Sequence, residues 1–366
     1  MNQTINHVCI APKNSRRVQF WNEVLEQYNH QLIHISYLDI INDTYILSHT
    51  TTYVFRLESS GEDFETYKSI LLLGCETQSQ IDEVCLLQED FGQVARFKTW
   101  YRGWCILLSK IKNLSKTYTI SFINDPESIA HVFDKHKTQK TLKSKQISCP
   151  ILIGSCESYE MLLRKMKLHS ISQVFIKPSY GSSASGVMAF RYANPSKQVL
   201  YTTIKEQNGK LYNSLRIIKY TNPDAIKRII EAMVDTDLII EKWIPKWNYN
   251  GYSIDFRVVV INNRIEFIVP RASKHMITNL HLGNQKLDLK EAGITEKIQH
   301  NIEAVIKKTM LEFPKLNYAG IDILVDRSGK VFVIEINAFG DMLLGIKNTK
   351  NKTVYEQEYE SLFAIN

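Results

Sequence analysis

Apolar positions recur along this chain with two different periods, and the switches between them mark its elements. A short apolar run at 7–11 is followed by a turn through Pro12-Lys13-Asn14-Ser15, a helically spaced segment at about 16–28, and another apolar run at 32–35. This predicts strand, helix, strand, an α/β start. Mixed helical patterns continue to about Ser121 and include a Trp/Tyr-rich stretch at 97–104 that suits core or interface packing. From Asn124 the pattern changes. Asp125 and Pro126 suit the N-cap and first turn of a helix running through His131 to Lys135. Strands are expected at 173–178, 188–192 and 214–220, then a helix at 223–233 leading into a strand at 238–242. A β-forming stretch at 253–270, a loop through His281, a helix from about Thr295 to Phe313 ended by Pro314, a hairpin and a helical tail complete the chain.

The hairpin, YAGIDILVDRSGKVFVIEINAFG at 318–340, is the most informative segment. Asp326-Arg327-Ser328-Gly329 supplies its turn. Strand alternation puts Val331, Val333, Glu335 and Asn337 on one face and Phe332, Ile334 and Ile336 on the other. If Val325 pairs with Lys330, Asp322 lies opposite Val333 and becomes the diagonal same-face neighbour of Glu335. Two carboxylates and an amide oxygen on a rigid sheet suit Mg²⁺, which takes a few protein oxygens and completes its shell with water and phosphate. The plainer reading makes both acids solvent-facing residues of a half-exposed sheet. The apolar character of both faces argues against it.

Composition narrows the setting. A chain of 366 residues, 44% hydrophobic, is expected to form two or three globular domains. No apolar run approaches the roughly 20 residues of a membrane span, and the first residues lack the apolar core of a signal peptide, so a cytoplasmic location and no membrane partner are expected. The six cysteines show no C-x-x-C spacing and read as reduced and structural. A net charge of +7 is as well explained by anionic nucleotides or acidic substrates as by nucleic acid, and no specific nucleic-acid partner is expected. The lysine run at 135–145 reads as a solvated helix face with one functional lysine. There is no G-x-G-x-x-G, which weakens a dinucleotide-binding reading.

Other segments carry compatible chemistry. In 175–187, FIKPSYGSSASGV, a strand delivers Lys177 to a loop of small residues whose backbone N–H groups can close on phosphate oxygens. It is not a Walker A loop, because no Gly-Lys-Ser/Thr follows the glycines. Leu238-Ile239-Ile240-Glu241-Lys242-Trp243-Ile244-Pro245 is an apolar strand which, as an edge strand, could read adenine with its own backbone. Asp255-Phe256-Arg257 sets an acid and an arginine on one strand face, and Arg264 and Arg271 follow. Arginine suits carboxylate or phosphate through paired N–H bonds.

In this order, Lys135, Lys177 with its Gly/Ser loop, Glu241-Lys242-Trp243-Ile244, Asp255-x-Arg257, Asn279-Leu280-His281-Leu282-Gly283 and Asp322…Glu335-x-Asn337 resemble the ATP-grasp superfamily of ligases over about 125–345. IIEKWIP is similar to the hinge strand of D-alanine–D-alanine ligases, and 271–283 to RimK-type glutamate ligases. The whole chain is also similar to an uncharacterised bacterial ATP-grasp family of STM type. The resemblance implies an α/β (α+β) protein: an N-terminal Rossmann-like α/β domain at 1–123, a central subdomain with phosphate lid and hinge at 124–245, and a C-terminal subdomain with the metal site at 246–366. It further implies that Lys135 and Lys177 contact ATP phosphates, that Gly181, Ser182, Ser183 and Gly186 form the lid, and that Glu241, Lys242, Trp243 and Ile244 hold adenine. Asp322, Glu335 and Asn337 would carry two Mg²⁺ ions; Arg257 and Arg271 would face the transferred phosphate or substrate carboxylate, with Asn279 near the phosphates. One departure stands out. The ribose-binding acid expected a few residues after the hinge is missing, leaving Asn248 or Asp255 for the task.

The implied activity is ATP-dependent joining of a small-molecule or peptide carboxylate to an amine through an acyl phosphate. A phosphotransferase on the same fold and a non-catalytic nucleotide-binding protein are the alternatives.

Overall fold

The computed structural model describes residues 5–61, 63–181, 185–277, 285–340 and 342–364. Its first layer is a parallel sheet in the order β2-β1-β3-β4, made of β1 (Ile5–Ala11), β2 (Leu32–Ser36), β3 (Thr52–Leu57) and β4 (Thr119–Phe122). Parallel strands need crossovers. These carry α1 (Arg16–Gln27), α2 (Tyr37–Ile41), α3 (Phe64–Gly74), α4 (Gln78–Cys85) and α5 (Phe97–Asn113). Covered on both faces, β1 buries Val8, Cys9, Ile10 and Ala11 in succession, the continuous apolar run of such a strand. Trp104 of α5 is fully buried and stacks on Trp100 at 5.6 Å, so the aromatic stretch is core.

Asp125 caps α6 (Pro126–Phe133) by accepting from the backbone N–H groups of Glu127 and Ser128. The helix does not continue to Lys135 as the sequence suggests. Asp134 leaves the helical conformation at φ −81°, ψ 100° and caps a separate helix, α7 (Lys135–Ser144), accepting from Lys137 N–H at 2.9 Å. A short acidic side chain that bonds to backbone ahead of it starts a helix anew. The break turns Lys135 inward, whereas Lys137, Lys140, Lys143 and Lys145 stay exposed.

The middle layer is an antiparallel sheet in the order β5-β10-β6-β7-β8-β9, with β5 (Leu152–Ser155), β6 (Gln173–Pro178), β7 (Met188–Asn194), β8 (Lys197–Gln207), β9 (Lys210–Tyr220) and β10 (Leu238–Lys242). Helices α8 (Tyr159–Leu168) and α9 (Pro223–Met233) pack on it. The third layer follows the order β14-β13-β12-β15-β16, with β11 beside β12. Its strands are β11 (Trp247–Tyr249), β12 (Tyr252–Ile261), β13 (Arg264–Ser273), β14 (Gln285–Lys286), β15 (Tyr318–Val325) and β16 (Val331–Asn337). Asn262 and Asn263, both at positive φ, turn the single β-forming stretch of the sequence into the hairpin β12–β13. Helix α10 (Glu296–Leu311) packs on this sheet with Ile302 and Ile306, and α11 (Val354–Phe363) packs between α1 and β12.

The first and third layers share one core, in which Val8, Ile10, Phe55 and Trp104 are continuous with Phe256, Val258, Ile321 and Val333. The middle sheet has its own, around Val174, Ile176, Phe190 and Ile229. Buried Asn124 locks the first connection: its Nδ2 donates to Tyr318 O and Ala338 O, and its Oδ1 accepts from the N–H groups of Asn317 and Tyr318. No helix among the described residues is long and apolar enough to cross a membrane.

Candidate functional site

The hairpin register differs from the alternation read in the sequence. Val325 pairs with Val331, and a β-bulge between Asp322 and Ile323 on one strand, opposite Ile334, brings Asp322 directly across from Glu335. The extra residue inverts the alternation. Val331 and Val333 enter the core together with Ile336, while Ile334, Glu335 and Asn337 line a cleft on the other face. Asp322 and Leu324 project to that side from β15, and Asp255, Arg257 and Arg271 from β12 and β13.

The cleft has a volume of about 440 Å³ and is walled by the middle sheet on one side and the third sheet on the other. Seven basic residues line it (Arg17, Lys135, Lys177, Lys242, Lys246, Arg257, Arg271) against four acids (Glu241, Asp255, Asp322, Glu335), an excess of three positive charges that favours an anionic ligand. Each acid meets a base. Glu335 lies 3.5 Å from Lys135 Nζ, and Glu241 Oε2 accepts from Lys177 Nζ at 2.6 Å. Asp322 accepts from Arg257 Nε at 2.6 Å and Nη2 at 3.1 Å, and from Arg271 Nη2 at 3.1 Å. Burial pushes the Asp322 carboxyl up, but the two guanidiniums outweigh it and hold it below the usual carboxylate range. For Arg271 burial likewise opposes the charge, and Asp255 and Asp322 overcome it and raise its pKa.

Gly320 makes room for this arrangement. A Cβ there would stand 2.5 Å from Met342 Sδ and 3.0 Å from Arg257 Nη1, so Arg257 reaches Asp322 over a bare backbone.

The hinge differs from the expected edge strand. β10 lies inside its sheet, between β5 and β6, and the backbone N–H groups of Lys242 and Trp243 are taken by Ile151 O and Gln173 O. Ile244 is the first hinge residue beyond these pairings. The Glu241 side chain is 2% exposed and serves Lys177 and Gln139. Trp243 packs away from the cleft, against Phe175 at 5.0 Å and under the Arg191 guanidinium at 4.5 Å. Asn248 is exposed on β11 and does not line the cleft.

At the Gly/Ser loop after β6, Lys135 Nζ donates to Gly181 O, and Gly181 and Ser185 line the cleft. Gly186 lies outside the lining at φ +73°, where a Cβ would meet Pro178 and Met233 at 2.9 Å. Ser182, Ser183 and Asn279 lie outside the described residues.

Sequence reasoning missed several lining residues. Leu324 was legible two positions after Asp322 on the same strand face. Arg17 and Ser59 come from the first layer, and nothing local marks them except that α1 begins with two arginines and no acid.

The donor set fits a hard divalent cation such as Mg²⁺. Asp322 and Glu335 are directly cross-strand, and Asn337 gives its amide N–H to Gly320 O at 3.3 Å, which leaves the amide oxygen as its donor toward an ion. No cluster of three His, Cys, Asp or Glu side chains suited to a metal occurs among the described residues, so the set is two carboxylates and one amide.

The middle and third sheets close on one cleft, with Lys177 entering from β6, Lys135 from α7 and Asp322, Glu335 and Asn337 from β15 and β16, and this is the arrangement of an ATP-grasp protein. The YheC/D-like ATP-grasp family model matches residues 122–364, and the chain belongs to that family. Its fold is similar to that of D-cycloserine synthetase DcsG, at 10% identity and a TM-score of 0.57 over 98% of both chains. It is similar to the ATP-grasp ligase PsnB complexed with minimal precursor, at 14% identity and 0.57 over 100% of this chain and 99% of that one. D-alanine–D-alanine ligase from Bacillus anthracis aligns at 12% identity and 0.51, over 92% and 88%. At these identities the likeness is one of fold. Compared by sequence with curated proteins, the chain finds no significant match.

Proposed function

We propose that this chain is an ATP-dependent carboxylate–amine ligase that works through an acyl phosphate on a peptide or amino-acid-like substrate in the cytoplasm. The observation that carries the reading is the convergence of Lys135, Lys177, Arg257, Arg271, Asp322, Glu335 and Asn337 on one cleft. Family membership and the ligases among its structural relatives support it. Adenine would lie against Phe175, Ile244 and Leu324, with Lys177 and Lys135 on the phosphates. Asp322, Glu335 and Asn337 would hold two Mg²⁺ ions, which supply charge neutralisation at the phosphates when bound.

Arg257 and Arg271 would steady the transferred phosphoryl group. A substrate carboxylate oxygen bonds to the γ-phosphorus as the bond to the ADP oxygen breaks. An amine then attacks the acyl carbon, the C–N bond forms, inorganic phosphate leaves, and the nitrogen loses a proton. No protein nucleophile is needed in these steps.

The test is ADP release on screening carboxylate and amine pools, with mass analysis of the product. An amide product is expected, whereas a stable phosphoester would identify a phosphotransferase. Glu335→Gln should abolish ATP turnover with an unchanged circular dichroism spectrum; normal turnover by that variant refutes the metal assignment.

A further inference from the structure

Lys246 is a cleft base that the nucleotide scheme above leaves without a task. It follows the hinge directly after Pro245 and lines the cleft together with Ile244 and Lys177. Its side chain is 10% exposed, and its Nζ lies 2.9 Å from Asp255 Oδ2. Asp255 is held at its other oxygen by Arg271 Nε at 2.7 Å, and Arg271 extends to Asp322. An alternating row results: Lys246, Asp255, Arg271, Asp322, Arg257. Three cations face two carboxylates, so the row presents one net positive charge to the cleft.

Burial lowers the pKa of Lys246 and Asp255 opposes this, while the charges of Arg271 and Lys177 lower it further. An anion placed among them relieves that repulsion. The position coincides with the missing ribose acid, but an ammonium has three donors and no acceptor and cannot replace a carboxylate toward hydroxyl donors. Of the two substitutes for that acid, Asn248 stands outside the cleft lining, whereas Asp255 lines it, paired with Lys246 and Arg271.

The geometry points to Lys246 as a third phosphate-binding lysine, donating to the phosphate next to the nucleoside. This rests on the nucleotide reading proposed above.

The test is displacement of a fluorescent ATP analogue from the full-length protein by adenosine, AMP, ADP and ATP. Lys246→Met should weaken AMP, ADP and ATP alike by about ten- to a hundredfold, the scale of a charge-assisted hydrogen bond, and adenosine by less than about twofold. Lys246→Arg, which keeps the charge, should stay within about fivefold of the native protein for all four. An equal loss for adenosine would place Lys246 on the nucleoside and overturn the assignment. Unchanged AMP affinity in Lys246→Met would leave the residue only the neutralisation of Asp255 and overturn it too. Should Lys246→Met fail to fold, Asp255→Asn keeps the lysine and removes its partner; AMP should then bind at least as tightly as to the native protein, and weaker binding refutes the role. If the native protein binds none of the four ligands, it is the nucleotide reading itself that falls.

Discussion

Glu358 gives the fold a pH dependence whose size follows from its surroundings. Arg56 of β3 is buried among the rings of Trp21, Tyr318 and Tyr355, at 4.7, 4.8 and 5.0 Å. It donates Nε to Glu58 Oε1 at 2.7 Å and Nη1 to Glu358 Oε1. Two carboxylates thus share one guanidinium in the interior, and Glu358 Oε2 is buried with no hydrogen-bond partner. Burial pushes the Glu358 carboxyl from 4.5 up to about 7, with Arg56 pulling the other way. Because the folded-state pKa is the higher, the proton stabilises the fold. That stability is complete below the unfolded pKa of about 4.5 and is lost as pH rises through 7. The gap of about 2.5 units corresponds to ~3 kcal/mol, of which about 2 to 3 kcal/mol falls between pH 5 and 8. Glu358→Gln keeps the acceptor for Arg56 and removes the titration. Urea unfolding at pH 5, 6, 7 and 8 should show the native protein losing that amount relative to the variant. A difference between the two that stays flat across this range refutes the reasoning.

Gly320→Ala should push Arg257 away from Asp322 and lower ATP turnover by at least about tenfold, with an overpacking cost of about 1–3 kcal/mol in urea unfolding; unaltered turnover would remove Arg257 from the site. Lys177→Ala should weaken ATP binding by at least about tenfold in calorimetry and also lower stability, because Glu241 keeps only Gln139. Adding Glu241→Gln should restore the stability but not the binding, and recovery of binding would show that Lys177 serves Glu241 alone. Asn124→Ala removes four hydrogen bonds from buried backbone groups and should cost at least about 3 kcal/mol in urea unfolding. A loss under about 1 kcal/mol would show that water replaces the amide.

Much of the fold is legible where a single period persists. Strand 173–178, helix 223–233 and strand 238–242 coincide with β6, α9 and β10, because each combines a clean apolar pattern with Pro or Asp punctuation. The sequence reading assigns no strand at 197–207, where a bulge between Thr202 and Ile204 interrupts the alternation of β8. The same kind of irregularity explains the hairpin: one extra residue at Ile334 reverses which face Val333 and Glu335 share, and no local signal in VFVIEIN announces it. Glu335, Asn337 and Asp322 were found because they are the polar residues of an apolar hairpin. Arg17 and Ser59 were not, because their place in the cleft depends on elements far away in the chain. The interior position of β10 was hidden for the same reason, since its partner β5 lies more than 80 residues upstream.

The division of cores indicates which half of the cleft can move. The turn after Asn337 is fixed by the first layer: Gly340 N–H reaches Glu58 Oε2 at 3.3 Å, Ala338 O accepts from Asn124, and Phe339 packs on Phe133 and Trp104, each at 5.8 Å. Asp322, Glu335 and Asn337 are therefore anchored in the core shared by the first and third layers. Lys177 and Glu241 belong to the middle sheet, whose core is separate. Two kinds of contact bridge the halves: polar ones, Lys135 with Glu335 and with Gly181 O, and small apolar ones, Ile277 against Ala189 and Trp243 and Tyr101 stacked on Tyr180 at 4.0 Å. The polar contacts can exchange for those of an entering anion, and the apolar ones are few beside the large core shared by the first and third layers, which does not open without losing its burial. If the cleft opens for a nucleotide, the movement is expected in the middle sheet, with Asp322, Glu335 and Asn337 keeping their places.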